Sequence, residues 1–213
     1  MPRKLCDKCQ RPLNVCICQH LVSLTAPCNI VILQHPSEQK QALATVPILN
    51  RCLSNLTVIT GENLTNNLTV IALLENSDEL AVLFPTDKAE HWCLKLAYQS
   101  TQINSKTEQK PPKTIIVLDG TWRKAKLIWY KNPWLHTLRS VVLTGLPKSE
   151  YLIRASSIQG GVSTLEAVMH SCNYLSCSNE FSILLNPFKA MIDWQVQKMG
   201  KEKFLAHYGC TDN

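Results

Sequence analysis

Four consecutive apolar residues, Ile115 to Leu118, three of them β-branched, run directly into Asp119 and Gly120. Such a run has the length and branching of a strand buried on both faces. The Asp-Gly pair stops it. Thr121 to Lys131 then carries helical spacing, with Trp122, Ala125, Ile128 and Trp129 on one face. A buried strand that turns straight into a helix is the building unit of an α/β sheet. The chemistry is constrained as well, because ligands of open α/β sheets bind outside the carboxyl ends of the strands, where Asp119 stands. The same carboxylate also fits a plain helix N-cap, with Trp122 as core.

The rest of the chain repeats the alternation. Asn29–Gln34, Leu56–Thr60, Leu68–Leu74, Leu80–Phe84 and Arg139–Leu143 read as strands. Glu38–Leu49 and Asp87–Tyr98 read as helices, a capping box at Ser163 and Glu166 opens another to about Leu175, and Pro187 opens the last. Ser100–Lys113 is polar, aperiodic and contains Pro111-Pro112, which predicts a loop. The expected fold is therefore α/β, a mostly parallel sheet flanked by helices, over residues 21–213. The first 20 residues are too short for a core of their own and form a separate module.

That module holds Cys6, Cys9, Cys16 and Cys18. Four thiolates at this spacing can close a tetrahedral S4 site, with the two-residue gap of Cys6 and Cys9 as the knuckle. Zinc is the expected ion. Four protein ligands leave no open position, so its role is structural. The opening residues carry no apolar stretch of the kind that makes a secretory leader, and no run is long enough to span a bilayer, so the chain is expected in the cytoplasm with its thiols reduced.

The net charge of +6 is unevenly spread. Residues 110–154 hold nine Lys or Arg against two Asp or Glu, whereas residues 21–109 hold five against eight. A concentrated positive segment around the strand-end aspartate is the footprint of a polyanion binder. Arg123, Lys124, Lys131 and Arg154 are the candidate phosphate contacts. Polar residues also follow two other strands, as Gln34-His35-Pro36-Ser37-Glu38 and as Phe84-Pro85-Thr86, and Tyr151–Arg154 and Ser163–Glu166 come later. If the strands are parallel, these ends line one cleft.

The cysteine module, His35-Pro36-Ser37-Glu38, Phe84-Pro85-Thr86, Asp119-Gly120-Thr121-Trp122, Tyr151–Arg154 and Ser163–Ala167 occur in the order of the DTW-domain proteins, and the chain resembles that family along nearly its whole length. The resemblance implies a tRNA-uridine aminocarboxypropyltransferase. Such an enzyme moves the 3-amino-3-carboxypropyl group of S-adenosylmethionine to ring nitrogen 3 of a uridine and releases methylthioadenosine. Bacterial members with this module act on the variable-loop uridine at tRNA position 47. The resemblance also implies a SPOUT-like fold with a C-terminal trefoil knot. On this reading Asp119, Thr121 and Trp122 are catalytic, with Asp119 as general base toward the ring N–H. Phe84, Pro85, Thr86, Leu118, Ser163, Thr164 and Glu166 would bind S-adenosylmethionine. The pair Arg123-Lys124 is more basic than is common after the Trp in this family. Two other readings remain open on the residues alone: an RNA methyltransferase on the same fold, and a non-enzymatic, zinc-dependent RNA-binding protein. Oligomeric state is not legible in the chain.

Overall fold

The apolar runs assemble into one six-stranded sheet, every pairing parallel, in a computed structural model that describes residues 4–41, 43–94, 110–146, 162–200 and 202–203. The strands are β1 (Asn29–Gln34), β2 (Leu56–Thr60), β3 (Leu80–Leu83), β4 (Glu90–Cys93), β5 (Thr114–Asp119) and β6 (Arg139–Thr144). Their spatial order is β2-β1-β5-β3-β6-β4. The strand that ends in Asp119 is thus central, and all of its residues are buried.

Strand alternation sends successive side chains to opposite faces, and each face has its own core. Ile30, Ile32, Ile115, Val117 and Ala81 share one core with α1 (Val46–Cys52), α4 (Thr164–Ser176) and α5 (Leu185–Met199). Val31, Leu33, Ile116, Leu118 and Val82 share the other with α2 (Leu68–Leu74) and α3 (Trp122–Lys131). The result is helices on both faces of a parallel sheet, the arrangement that buries such strands. Cys9 and Ile17 belong to the first core, so the N-terminal cysteine module packs on the sheet domain.

Four expectations change. Leu68–Leu74 is the helix α2 and not a strand. Asn67 caps it by accepting from the backbone N–H groups of Thr69 and Val70, and Val70, Leu73 and Leu74 form a helical stripe toward the second core. Glu90–Cys93, expected within a helix, is the strand β4. It pairs with β6, and the Glu90 carboxylate accepts from Arg139 Nε at 2.8 Å and from the Trp92 ring N–H at 3.0 Å. Here tertiary pairing overrides local spacing. The helix expected over Glu38–Leu49 splits into a 3-10 turn at Pro36–Glu38 and α1, because Pro47 is tolerated only in the first turn of a helix. The last helix begins at Leu185, two residues before Pro187.

Parallel neighbours ordinarily need a crossover of a dozen or more residues. β3 and β4 both pair with β6, on its two sides, and the link between them is shorter than such a crossover because β4 starts where β3 stops. Both Leu83 and Glu90 lie level with Val141 of β6, so β4 continues past the carboxyl edge without returning to the bottom of the sheet.

Candidate active site

The register places Gln34 directly opposite Asp119 at the carboxyl edge. Both side chains follow the parity of Ile32 and Val117 and turn toward the face covered by α4. Gln34 Nε2 donates to Asp119 Oδ2 at 2.9 Å. Thr164 Oγ1, at the first residue of α4, donates to Asp119 Oδ1 at 2.6 Å. Asp119 is 7% exposed and Gln34 4%. A carboxylate this buried needs donors, and an amide and a hydroxyl hold its plane in one orientation.

This settles the capping alternative for Asp119. The N-cap of α3 is Thr121, with no side-chain capping bond, and Asp119 is directed across the sheet to α4 instead. Gly120 lets α3 start so close. Its φ is +154°, and a Cβ there would come within 2.9 Å of Lys124 Cβ.

His35 has the opposite parity and faces the α3 side. Its Nδ1 accepts from the Ser37 N–H at 3.2 Å, which leaves the proton on Nε2 to face Glu62 Oε1 at 3.1 Å. The carboxylate of Glu62 also meets Lys131 at 2.5 Å, and Lys131 first, then His35, hold it below the usual carboxylate range. Lys124 Nζ donates to the buried Glu38 at 2.7 Å. Two of the expected phosphate contacts are therefore engaged with carboxylates of the His35–Glu38 turn and of Glu62.

On the neighbouring strand Leu83 aligns with Val117, so Phe84, Pro85 and Thr86 follow alongside Leu118 and Asp119. Phe84 stacks on Trp129 at 4.3 Å and leans against Trp122 at 6.3 Å. Ser140 ties this turn down, donating to the Phe84 carbonyl at 2.8 Å and lying 2.8 Å from Thr86 Oγ1. Trp122 is half-buried at the rim and Thr121 is exposed. Ser163 and Glu166 complete the capping box of α4: Glu166 N–H donates to Ser163 Oγ and Ser163 N–H to Glu166 Oε2. Asp119, Thr121, Trp122, Phe84, Pro85, Thr86, Leu118 and Thr164 thus share one edge. Tyr151–Arg154, with the expected contact Arg154, lies outside the described residues. The sequence placed Gln34 at a cleft-lining strand end but gave it no role; its hydrogen bond to Asp119 is what sequence reasoning missed.

The four cysteines of the N-terminal module do converge. Cys6 and Cys18 sulfurs lie 3.5 Å apart, Cys6 and Cys16 3.5 Å, and Cys9 and Cys16 3.7 Å. A tetrahedral site with Zn–S bonds of about 2.3 Å sets its sulfurs about 3.8 Å apart, so the donor set and spacing fit zinc. Backbone N–H groups of Cys9 and Lys8 pull the Cys6 thiol down to about 6, whereas burial and the neighbouring sulfurs push Cys18 up to about 12. A cation at the centre removes that conflict by holding all four as thiolates.

The profile of the DTW domain family matches residues 3–196. The tRNA-uridine aminocarboxypropyltransferase 2 of Mus musculus is 32% identical over 203 residues, covering 92% of this chain and 64% of that protein. Its counterpart in Drosophila melanogaster is 30% identical over 201 residues, covering 91% and 76%. The tRNA-uridine aminocarboxypropyltransferase A of Arabidopsis thaliana is 32% identical over 130 residues, covering 58% and 49%. The chain therefore spans less than two thirds of the length of the mouse relative. No solved structure matches.

Proposed function

The chain belongs to the DTW-domain family, and on that premise we propose that it transfers the 3-amino-3-carboxypropyl group of S-adenosylmethionine to ring nitrogen 3 of a tRNA uridine. The observation that carries this reading is the buried, doubly braced carboxylate of Asp119 at the ligand-binding edge, in a chain whose relatives bear that activity in their names.

The chemistry needs a base and a fixed geometry. The N3 proton passes to the Asp119 carboxylate, N3 attacks the γ-carbon, the bond from that carbon to sulfur breaks, and the sulfonium leaves as the neutral thioether methylthioadenosine. Three carbons surround the sulfonium, so the outcome depends on which one the pocket brings to near-attack distance. Gln34 and Thr164 restrict the direction of the basic lone pairs, a requirement for in-line delivery. Trp122, half-buried at the rim, supplies flat apolar surface for the adenine or the uracil ring, with the buried Phe84 packed against it. Thr86, Ser163 and Thr164 offer hydroxyls at the same edge. Cys6, Cys9, Cys16 and Cys18 would hold a structural zinc, which fixes the shape of the N-terminal module and supplies no step.

The finer assignments rest on the family resemblance: the variable-loop uridine at position 47 as target, a SPOUT-like trefoil knot toward the C-terminal part, and a cytoplasmic setting. No described helix is long and apolar enough to cross a membrane.

Incubating the protein with tRNA and S-adenosylmethionine tests the reading. Methylthioadenosine and an aminocarboxypropyl uridine are the expected products, and Asp119→Ala should abolish both while tRNA still binds. Release of S-adenosylhomocysteine with a methylated base would replace this reading with a methyltransferase. Binding without any turnover by the wild type would leave only an RNA-binding protein.

A further inference from the structure

The basic segment of the sequence is less available than its charge implies. Among the described residues from 110 to 146, Lys113 pairs with Glu79, Lys124 with Glu38, Lys131 with Glu62 and Arg139 with Glu90. All four carboxylates come from the acidic stretch of residues 21–109. Three cations of that segment have no described acidic partner: Lys110, Arg123 and Lys126. Lys110 precedes β5 at the opposite edge of the sheet. Arg123 and Lys126 are both exposed on α3, the helix that begins at the Asp119 turn.

A third group shares their face. Tyr130 is 69% exposed, although aromatic side chains of that size are usually covered. At 3.6 residues per turn, Arg123, Lys126 and Tyr130 fall within an arc of about 60°. The stripe is about 10 Å long at a rise of 1.5 Å per residue. Its top lies beside Gly120 and the rim residue Trp122. Two cations without a described acidic partner, aligned with an exposed ring, match a single-stranded polyanion whose bases can stack, because the cations track phosphates and the ring accepts any base face.

We propose that this outer stripe of α3, Arg123, Lys126 and Tyr130, is the surface that grips the RNA strand flanking the reacting nucleotide. The two cations bind phosphates and Tyr130 stacks on a neighbouring base. Lys124 and Lys131 are committed to Glu38 and Glu62 and serve the fold of the cleft. The inference rests on the tRNA reading above but assigns the contact to one face of one helix.

Measuring tRNA affinity over a range of salt, without S-adenosylmethionine, tests it. Each phosphate contact contributes about one unit to the slope of log K against log salt. The double variant Arg123→Ala with Lys126→Ala should lower the slope by about two. Tyr130→Ala should weaken binding about tenfold, and Tyr130→Phe should not. Lys198 is exposed on α5, across the sheet, so Lys198→Ala removes one positive charge away from the stripe and should leave the slope unchanged. An unchanged slope in the double variant would overturn the proposal, as would a fall of about one for Lys198→Ala or wild-type affinity in Tyr130→Ala. All of these side chains are exposed, so the thermal transition should not move, and unfolding can be checked separately. Failure of the transfer reaction is a separate result: a protein that binds tRNA through this stripe but releases no methylthioadenosine refutes the activity and keeps the surface.

Discussion

Replacing Thr164 by Val removes one hydroxyl, and the structure fixes what that hydroxyl does. It donates to Asp119 Oδ1 at 2.6 Å, and the carboxylate is 7% exposed. Val keeps nearly the same volume, and the capping box of Ser163 and Glu166 is independent of residue 164, so α4 still starts in the same place. A hydrogen bond to a charged group contributes about 1.5–3 kcal/mol. If the bond orients the base for attack, the rate of group transfer at saturating donor and tRNA falls about 10–100-fold, since about 1.4 kcal/mol is a factor of ten. Gln34 still braces Oδ2, so the loss in stability should be smaller, about 1 kcal/mol, which moves the thermal midpoint by about 2–4 °C in a chain of this size. The assay is single-turnover formation of methylthioadenosine, with binding of donor and tRNA measured separately. Thr164→Ser retains the donor and should restore most of the rate. A Val variant with a wild-type rate and only a lowered midpoint would refute the orienting role and leave Thr164 as packing.

Four further outcomes follow from the geometry. Purified protein should carry about one zinc per chain, and Cys9→Ser should release it and loosen residues 4–20, as hydrogen exchange would show; metal-free protein with an intact module would refute the assignment. Gly120→Ala should destabilise the Asp119 turn and lower transfer, because φ is +154° and the new methyl meets Lys124 Cβ; a neutral effect on both would show that the turn relaxes freely. Gln34→Leu should lower the transfer rate in the same range as Thr164→Val and leave tRNA binding intact, since it removes the other brace. His170 is buried with Nδ1 unpartnered, and burial first holds its imidazole below the usual value despite the opposing pull of Glu166. The unfolded chain then takes up a proton that the folded one refuses. Stability should therefore be full above about pH 6.5 and fall as the solution is acidified through the window below it. In His170→Leu this part of the pH dependence should vanish.

The central motif was legible because it is local. Ile115–Leu118 announces a buried strand, Asp119-Gly120 its end, and Trp122–Lys131 its helix, and all three stand as read. The partners of Asp119 were not legible. Gln34 shares the parity of Ile30 and Ile32, yet only the β1–β5 register, between segments about eighty residues apart, brings it to Asp119. Thr164 is remote for the same reason. Leu68–Leu74 and Glu90–Cys93 exchanged their expected types because segments this short fit either period, and a cap at Asn67 or an ion pair from Glu90 decides. The charge map located the basic segment but not its compensation, because Glu38, Glu62, Glu79 and Glu90 approach it only across the folded sheet.

The order β2-β1-β5-β3-β6-β4 has a consequence for a chain emerging from the ribosome. Among the first four strands only β1 and β2 are neighbours. The other two stay unpaired until β5 has slid between β1 and β3, and β6 between β3 and β4. Most of the sheet therefore waits for residues 114–144, while apolar strands made earlier stand open. Such delayed, long-range closure is slow and exposes sticky edges in the interval. Biogenesis of this protein should thus depend on chaperone cover during synthesis more than its modest length suggests.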